Sequence, residues 1–425
     1  MNKIYYEQIG ETLYTEILSN GLTVYINPNN DFSASYAAFA THYGGAYRNF
    51  TIDNVEHQTP AGVAHYLEHK MFDMPEGENA LTQLSANGAD PNAFTSSGMT
   101  CYYFESTDKF DDNLALLLKF VSTPYFTPES VQKEQGIIGQ EIEMTEDNPA
   151  FEIYINLMKL LYKDHPIRDS VAGTVESISH ITSDILYECY NSFYTPSNMC
   201  LCVSGNVDPE KVMEIVKKAL PETKASKPIT EFGQKDEELP NGATHSIIRE
   251  VSAPQFLFGS RVTPAPLGKP MLHQKLTANL VLRMLFGSSS DFYTDLYSCG
   301  LLGRDFDCEI DYSADTATIM IGGESDEPSK IMDKISETVN NVLLNGIDPT
   351  DLERAKRASY GSRLRGLEDL DNKCISMVEG IFDSYNYFDS FTELNSITVK
   401  DCVDFIERYL RQENFAVSLI LPDRR

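Results

Sequence analysis

The sequence predicts an α+β fold of two homologous domains, each a mostly antiparallel sheet packed with helices. Strand-like runs and long helical stretches follow one another without the strict strand–helix–strand order of a parallel sheet. The second half also repeats the element order of the first half. With 425 residues, the chain is long enough for two domains with substantial cores. Duplication of one α+β unit explains these observations together.

The repeat is clearest around two prolines, each of which opens a predicted helix. Pro128 in the first half and Pro349 in the second half lie at an offset of 221 (349 − 128). In each half a strand and a helix precede the proline, at residues 100–104 and 110–121 and at residues 317–321 and 329–344. An offset close to half the chain length is what a duplicated domain gives.

The domain boundaries follow from the repeat and from one stretch without apolar periodicity. Residues 220–244 are rich in Pro, Lys, Glu, Gly and Ser, and we predict that they form a linker. The first domain is then expected at residues 1–219 and the second at residues 245–425. Further strands, all expected to be antiparallel, are predicted at residues 22–26, 34–41 and 199–204.

Charge and hydropathy limit the partners. The net charge of −29 disfavours nucleic acid and anionic lipid, because binding to phosphate needs clustered Lys and Arg. No apolar run approaches the roughly 20 residues that span a bilayer. Residues 1–18 contain no apolar segment of the kind found in secretory signals. We therefore expect a cytoplasmic protein that binds neither nucleic acid nor membrane.

The most informative stretch runs from His65 to His69. Residues four apart on a helix are neighbours, so these two imidazoles can bind one metal ion, and Glu68 lies close enough to reach a water on that ion. Thr59 as N-cap and Pro60 at the first helical position support the helix prediction. Imidazole suits zinc, and a catalytic zinc usually has three protein ligands and one open position. A third ligand must come from elsewhere.

The predicted helix that opens at Pro128 offers carboxylates for the third ligand. Spacing alone leaves four of them open: Glu134, Glu141, Glu143 and Glu146. Glu134 and Glu141 lie two turns apart on one face, and at the repeat offset they correspond to Ala355 and Ser362. We predict that Glu141 is the ligand and that Glu134 orients a histidine or tunes the metal. The second half then has the scaffold without the ligands.

These residues resemble a known family of zinc peptidases. The order His65-x-x-Glu68-His69 is the inverse of the commoner zinc-protease order. With Glu141 lying 72 residues after His69 (141 − 69), the chain resembles the pitrilysin/insulinase family, which includes the mitochondrial processing peptidases and insulin-degrading enzyme. Other segments also match the family: residues 92–96, 165–166, 172–174 and 194–198.

The resemblance implies a zinc metalloendopeptidase with one Zn²⁺ per chain. His65, His69 and Glu141 would bind the ion, and Glu134 holds the place of the family's companion glutamate. Glu68 would be the general base that takes a proton from the zinc-activated water and passes it to the leaving amine.

The resemblance also implies a substrate class. Asn92, Ala93 and Phe94 match the family's substrate-binding edge strand, which pairs with an extended peptide through main-chain hydrogen bonds. We expect extended oligopeptides or leader and presequence-like segments as substrates. The alternative is a non-catalytic peptide-binding or assembly subunit, since some relatives kept the fold after losing the motif.

One segment departs from the family pattern. Many members carry an Arg and a Tyr in the second domain that contact the substrate backbone, but residues 296–303 have neither in place, and Arg304 lies one position beyond. We therefore expect a partner, either a homologous metal-free subunit that supplies the pair or a second copy in a homodimer.

Overall fold

The computed structural model of the protein describes residues 1–220, 227–233 and 243–423. The chain forms two compact units, and each draws on both halves of the sequence. Unit 1 contains Met1–Glu143, Ser170–Phe232 and Leu364–Phe388, and unit 2 contains Met144–Asp169, Gly233–Arg363 and Asp389–Arg425. Each unit combines helices with a mostly antiparallel sheet, which confirms the predicted α+β class. None of the helices described is long and apolar enough to cross a membrane.

The strands are short, and most follow one another along the chain in runs of two or more, with no described helix between them. They are β1 (Asn2–Tyr6), β2 (Glu11–Ile17), β3 (Thr23–Pro28), β4 (Ser35–Thr41), β5 (Asn49–Ile52), β6 (Val55–Gln58), β7 (Ala89–Thr95), β8 (Thr100–Ser106), β9 (Met199–Gly205), β10 (Ile229–Thr230), β11 (Thr244–Arg249), β12 (Gln255–Val262), β13 (Asp307–Ser313), β14 (Thr316–Glu324) and β15 (Phe415–Pro422).

The helices range from one turn to five. They are α1 (Val63–Met71), α2 (Ala80–Ala86), α3 (Phe110–Val121), α4 (Pro128–Glu146), α5 (Pro149–Leu161), α6 (Val175–Ile178), α7 (Ser183–Phe193), α8 (Pro209–Ala219), α9 (Lys269–Phe286), α10 (Asp291–Ser298), α11 (Pro328–Asn345), α12 (Pro349–Gly366), α13 (Leu370–Phe382), α14 (Ser390–Ser396) and α15 (Val399–Tyr409).

The main sheet of unit 1 has the strand order β1-β2-β3-β9-β4-β8-β7. The central strands β4 and β9 are buried along their whole length. Strand β3 pairs with β9 in parallel, with Thr23 opposite Cys200, so the prediction that all these strands are antiparallel was wrong for this pair. The long connection through several helices lets the chain return in the same direction. Strand β7 lies at one edge of the sheet.

The sheet of unit 2 has the order β11-β15-β12-β14-β13, with β11 and β15 parallel and the other pairs antiparallel. Five strands of unit 1, β3-β9-β4-β8-β7, have the same order and the same directions. Two copies of one α+β topology are therefore present, as the repeat predicted.

The two repeats exchange one helix. Helices α5 and α13 correspond at the repeat offset, since both their first and last residues differ by 221 (370 − 149 and 382 − 161). Helix α13 packs on β4 and β9 in unit 1, whereas α5 packs on β12 and β15 in unit 2. The packing units are therefore discontinuous in sequence. The predicted domains, residues 1–219 and 245–425, are continuous, and they stay a prediction for the boundaries of the two repeats.

The predicted linker at residues 220–244 includes a short strand. Residues 229–230 form β10, which pairs with β5 so that Ile229 lies opposite Thr51. The remainder of this prediction falls mostly outside the described residues, which omit 221–226 and 234–242. The part that is described is thus tied to unit 1 by backbone pairing.

A buried polar network fixes α13 on the sheet of unit 1. The side chain of Lys373 is fully buried, with Nζ 3.1 Å from Oδ1 of Asn27 and 3.8 Å from Oε1 of Glu11. Asn27 also donates to Glu11 at 2.7 Å and accepts a hydrogen bond from the Ser204 hydroxyl at 2.9 Å. Burial lowers the pKa of Lys373, and the Glu11 carboxylate opposes that effect. A buried ammonium is tolerated only where such partners exist.

Reversing this charge is expected to destabilise unit 1. Lys373→Glu places a second carboxylate beside Glu11 and should lower the free energy of unfolding by about 3–5 kcal/mol, the usual cost of breaking a buried ion pair. Urea denaturation measures the loss, and hydrogen exchange in β3 and β9 shows whether unit 1 is affected. Glu152→Lys is the matched control, because Glu152 corresponds to Lys373 (373 − 152 = 221) and pairs with the half-exposed Arg249. An equal loss in both variants would contradict the role of burial.

Candidate metal centre

Helix α1 carries both predicted histidines on one face. The ring centroids of His65 and His69 are 4.6 Å apart. The other face of α1 is buried in unit 1, where the Tyr66 hydroxyl donates to the main-chain oxygen of Val131. Val131 belongs to the first turn of α4, so this contact ties the histidine helix to the helix that carries the glutamates.

The start of α1 differs from the prediction. The helix begins at Val63, because Gly62 has a φ of +96° and cannot continue a right-handed helix. A Cβ at Gly62 would lie only 2.6 Å from the main-chain oxygen of Ala172. The predicted cap at Thr59 and the helical Pro60 were therefore wrong, and the Thr59 hydroxyl donates instead to the main-chain oxygen of Arg48 at 3.2 Å.

Helix α4 brings Glu141 to the two histidines. Oε1 of Glu141 lies 3.4 Å from Nε2 of His65, and Oε2 lies 3.5 Å from Nε2 of His69. One ligand atom from each of these three residues lies within 4.8 Å of the others, and no second group of this kind occurs in the described part of the chain. Glu143 and Glu146, the other exposed glutamates that spacing left open, do not join the group.

Glu134 lies behind His69. Its Oε1 is 3.1 Å from Nδ1 of His69, and its Oε2 is 3.7 Å from Nζ of Lys70. The hydrogen bond to His69 holds the pKa of Glu134 below its ordinary value, and the ammonium of Lys70 adds to this effect. Burial alone would lower the pKa of His69, but the surrounding carboxylates outweigh it and the pKa is raised. The hydrogen bond to His65 lowers the pKa of Glu141.

The donor set fits a tetrahedral zinc ion. Zinc binds imidazole nitrogen and carboxylate oxygen at about 2.0–2.2 Å, which places neighbouring donors about 3.4 Å apart in a tetrahedron. Oε1 of Glu141 lies 3.4 Å from Nε2 of His65, and the other oxygen, Oε2, lies 3.5 Å from Nε2 of His69, so each histidine has a carboxylate oxygen near this separation. The Glu134 carboxylate accepts a hydrogen bond from Nδ1–H of His69. This favours the tautomer in which Nε2 of His69 carries no proton, so that its lone pair can bind a metal. Two imidazoles and one carboxylate also form a donor set that zinc favours.

Glu68 is held by a hydroxyl from strand β7. The Thr95 hydroxyl donates to Oε2 of Glu68 at 2.6 Å, and Thr95 and Thr100 lie 3.3 Å apart through their hydroxyls. Thr100 in turn donates to the main-chain oxygen of Tyr43 at 2.9 Å. Glu68 is only 9% exposed, and this contact restrains the direction of its carboxylate.

Removing the Thr95 hydroxyl is expected to slow any reaction that uses Glu68 as a base. Thr95→Val keeps the shape of the side chain but removes the donor, and we expect kcat to fall about 10–100-fold, the loss of roughly one hydrogen bond to a charged group. Thr95→Ser should retain most of the rate. Steady-state kinetics with a zinc assay checks this, and a Val variant with unchanged kcat would contradict it.

The predicted substrate strand lies at a sheet edge. Asn92, Ala93 and Phe94 belong to β7, which pairs with residues 101–103 of β8 on one side. No strand covers the other side of β7 among the residues described. The Ala93 N–H donates to Oδ1 of its neighbour Asn92 at 2.9 Å, so a side chain occupies this amide. An incoming extended peptide would have to replace that contact.

Comparison with known proteins decides the family. The family model described as Insulinase (Peptidase family M16) matches residues 54–175, and the one described as Peptidase M16 inactive domain matches residues 180–359. A Bacillus subtilis protein named uncharacterized zinc protease YmfH is 38% identical over 99% of both chains. The chain belongs to the insulinase family, peptidase family M16. The resemblance stated from the motifs is thereby confirmed, and the three-residue group lies within the first matched segment.

Other M16 proteins extend the comparison. Uncharacterized zinc protease YmxG of B. subtilis is 25% identical over 86% of this M16 chain and 90% of its own length. The crystal structure of an M16-like peptidase from Alicyclobacillus acidocaldarius has a TM-score of 0.92 at 32% identity, covering 97% of this chain and 99% of that chain. Pitrilysin has a TM-score of 0.80 at 14% identity, covering 99% of this chain and 46% of that chain, which shows the shared fold.

Two residues of the site were missed from the sequence. The sequence indicates Thr95 only as part of the segment 92–96, and its contact with Glu68 depends on a strand that is distant in the chain. The zinc motif gives no role to Lys70, and the one local signal for it is that a lysine between His69 and Met71 interrupts the buried face of the helix. Both residues hold a carboxylate of the site in place.

Proposed function

We propose that this M16 chain is a zinc-dependent endopeptidase that hydrolyses extended oligopeptides. The observation that carries the proposal is the convergence of donor atoms from His65, His69 and Glu141 at zinc-like distances. Glu68 lies on the same helix and Glu134 supports His69 from behind. We assign the first three residues as metal ligands, Glu68 as the general base and Glu134 as the group that orients His69.

The chemistry divides between the ion and the chain. When bound, zinc would act as a Lewis acid that lowers the pKa of water from about 15.7 towards about 7 and polarises the scissile carbonyl. Glu68 would take the proton of the attacking water and give it to the leaving amine. The Thr95 hydroxyl keeps the Glu68 carboxylate in one orientation between these two transfers. Glu134 holds the proton on Nδ1 of His69, so that Nε2 stays available as a donor.

Strand β7 supports the choice of an extended peptide as substrate. Its free edge can accept one further strand through main-chain hydrogen bonds, and Thr95 at its end contacts Glu68. A peptide paired with Asn92, Ala93 and Phe94 would therefore run towards the catalytic base. Pairing of this kind recognises an extended backbone, so leader and presequence-like segments without fixed structure are suitable substrates.

We also propose that a partner completes the substrate site. Residues 296–303 lack the Arg and Tyr that many family members carry there. A homologous metal-free subunit could supply the pair in trans, or a second copy could complete the site in a homodimer. Without either, the chain would bind peptide and zinc but cleave slowly.

The test is digestion of a mixed peptide library by the purified, zinc-loaded chain. We expect one zinc per chain, cleavage that 1,10-phenanthroline abolishes and added zinc restores, and a faster rate when a metal-free paralogue from the same genome is added. Full activity of the chain alone would remove the need for a partner. Zinc binding without cleavage, even with each paralogue, would instead support a non-catalytic peptide-binding or assembly subunit.

A further inference from the structure

A buried lysine lies directly beside the candidate metal centre. The Lys70 side chain is 1% exposed, although it follows His69 on a helix that faces the site. Its Nζ forms an ion pair with the Asp73 carboxylate and lies 3.7 Å from Oε2 of Glu134. A buried ammonium is unfavourable unless carboxylates pair with it, and an apolar residue would fill the same space more readily. The charge at this position therefore points to a role beyond packing.

The contacts of Glu134 show what the charge does. One carboxylate oxygen of Glu134 bonds to Nδ1 of His69, and the other faces Lys70. The corresponding Nδ1 of His65 is buried without a hydrogen-bond partner among the described residues. From behind, Glu134 therefore holds His69 and not His65, and the second oxygen of Glu134 faces Lys70.

The charges around the site give a second reason. Three carboxylates, Glu68, Glu134 and Glu141, surround the two histidines, and a divalent cation attracts all of them. Only Glu141 joins the group of ligand atoms. The Thr95 hydroxyl restrains Glu68, and the Lys70 ammonium is the cation that restrains Glu134.

We propose that Lys70 is a positioning residue that holds Glu134 on Nδ1 of His69, so that Nε2 of His69 stays directed at the metal position. The inference rests on the proposed zinc site and adds the group that keeps Glu134 in place behind it. Lys70 touches neither the ion nor the substrate in this role. Lys70 acts through the charge of Glu134. Replacing Lys70 must therefore leave zinc binding nearly unchanged once Glu134 is replaced by an uncharged residue.

The experiment measures metal binding in Lys70→Met, which keeps the length of the side chain and removes the charge. We expect the zinc Kd, from competition with a chelator, to rise about tenfold, the lower end of the usual 10–100-fold effect of losing an outer partner of a ligand, because Lys70 acts through that partner, Glu134. The visible absorption bands of the Co²⁺-substituted protein should shift, because the orientation of His69 changes. Lys70→Arg should retain a Kd near the wild-type value. Lys133→Met, at an exposed lysine next to Glu134 in the chain, is the matched control.

A double-mutant cycle separates positioning from packing. In a Glu134→Gln background, Lys70→Met should change the zinc Kd by less than about twofold, because the coupled group is already neutral. Equal effects of Lys70→Met in both backgrounds, or an unchanged Kd and Co²⁺ spectrum, would overturn the inference. If Lys70→Met does not fold, Lys70→Gln retains a donor for Asp73 and serves in its place. A wild-type chain that binds no zinc would overturn the proposed function itself.

Discussion

Glu68→Gln is expected to lower kcat for peptide cleavage by about 10²–10⁴-fold while one zinc ion per chain remains bound. Glutamine has the shape of glutamate, and its amide oxygen can still accept the hydrogen bond from the Thr95 hydroxyl. The metal ligands are not altered, so binding of zinc and of peptide should change little. What the amide cannot do is take a proton from water. Single-turnover kinetics on a peptide that the wild type cleaves, together with metal analysis, measures the two effects separately.

Two further variants make this result specific to the base. Glu129→Gln removes an exposed carboxylate from the first turn of α4 and should leave kcat and zinc content unchanged. Glu68→Asp retains a base but shortens the side chain by one methylene. Its kcat should therefore lie between those of the wild type and Glu68→Gln. Cleavage by Glu68→Gln at the wild-type rate would remove Glu68 from the mechanism, and loss of zinc would mean that Glu68 helps to hold the metal.

Local signals in the sequence were enough for much of the fold and for the core of the candidate site. The predicted helix at residues 110–121 coincides with α3, and the helix predicted to open at Pro128 is α4, which begins at that residue. Proline at a helix start and the spacing of apolar residues act over a few residues, so a single sequence contains them. The spacing of His65 and His69 on one turn is equally local.

The features that the sequence did not reveal are long-range. Which sheet α5 and α13 pack on depends on contacts with strands about a hundred or more residues away, and the repeat offset makes the two helices look interchangeable. The left-handed Gly62 is required by the main-chain oxygen of Ala172, which no local pattern shows. The contact between Thr95 and Glu68 likewise exists only once β7 is placed next to α1.

Glu141→Gln is expected to weaken zinc binding by about 10²–10³-fold and to abolish cleavage at limiting zinc. Structural zinc sites with four ligands bind with roughly 10–16 kcal/mol, so an average ligand contributes about 2.5–4 kcal/mol. An amide is a much poorer donor than the carboxylate whose oxygens lie 3.4 and 3.5 Å from the two histidines. Excess zinc should restore part of the activity, because Glu68 and its contact with Thr95 are untouched. Titration of the metal-free protein with zinc measures the change in Kd.

Glu143→Gln is the matched control, since Glu143 is two residues away on the same helix, exposed, and carries the same charge. Any effect of lowering the negative charge of α4 appears equally in both variants, so the difference between them isolates coordination. We expect the zinc Kd of Glu143→Gln to stay within about twofold of wild type, a change of less than half a kcal/mol. If Glu143→Gln lost zinc and Glu141→Gln kept it, the ligand assignment on α4 would be wrong by two residues. Because two residues correspond to about 200° around a helix, the glutamate face of α4 would then have to be turned away from the histidines.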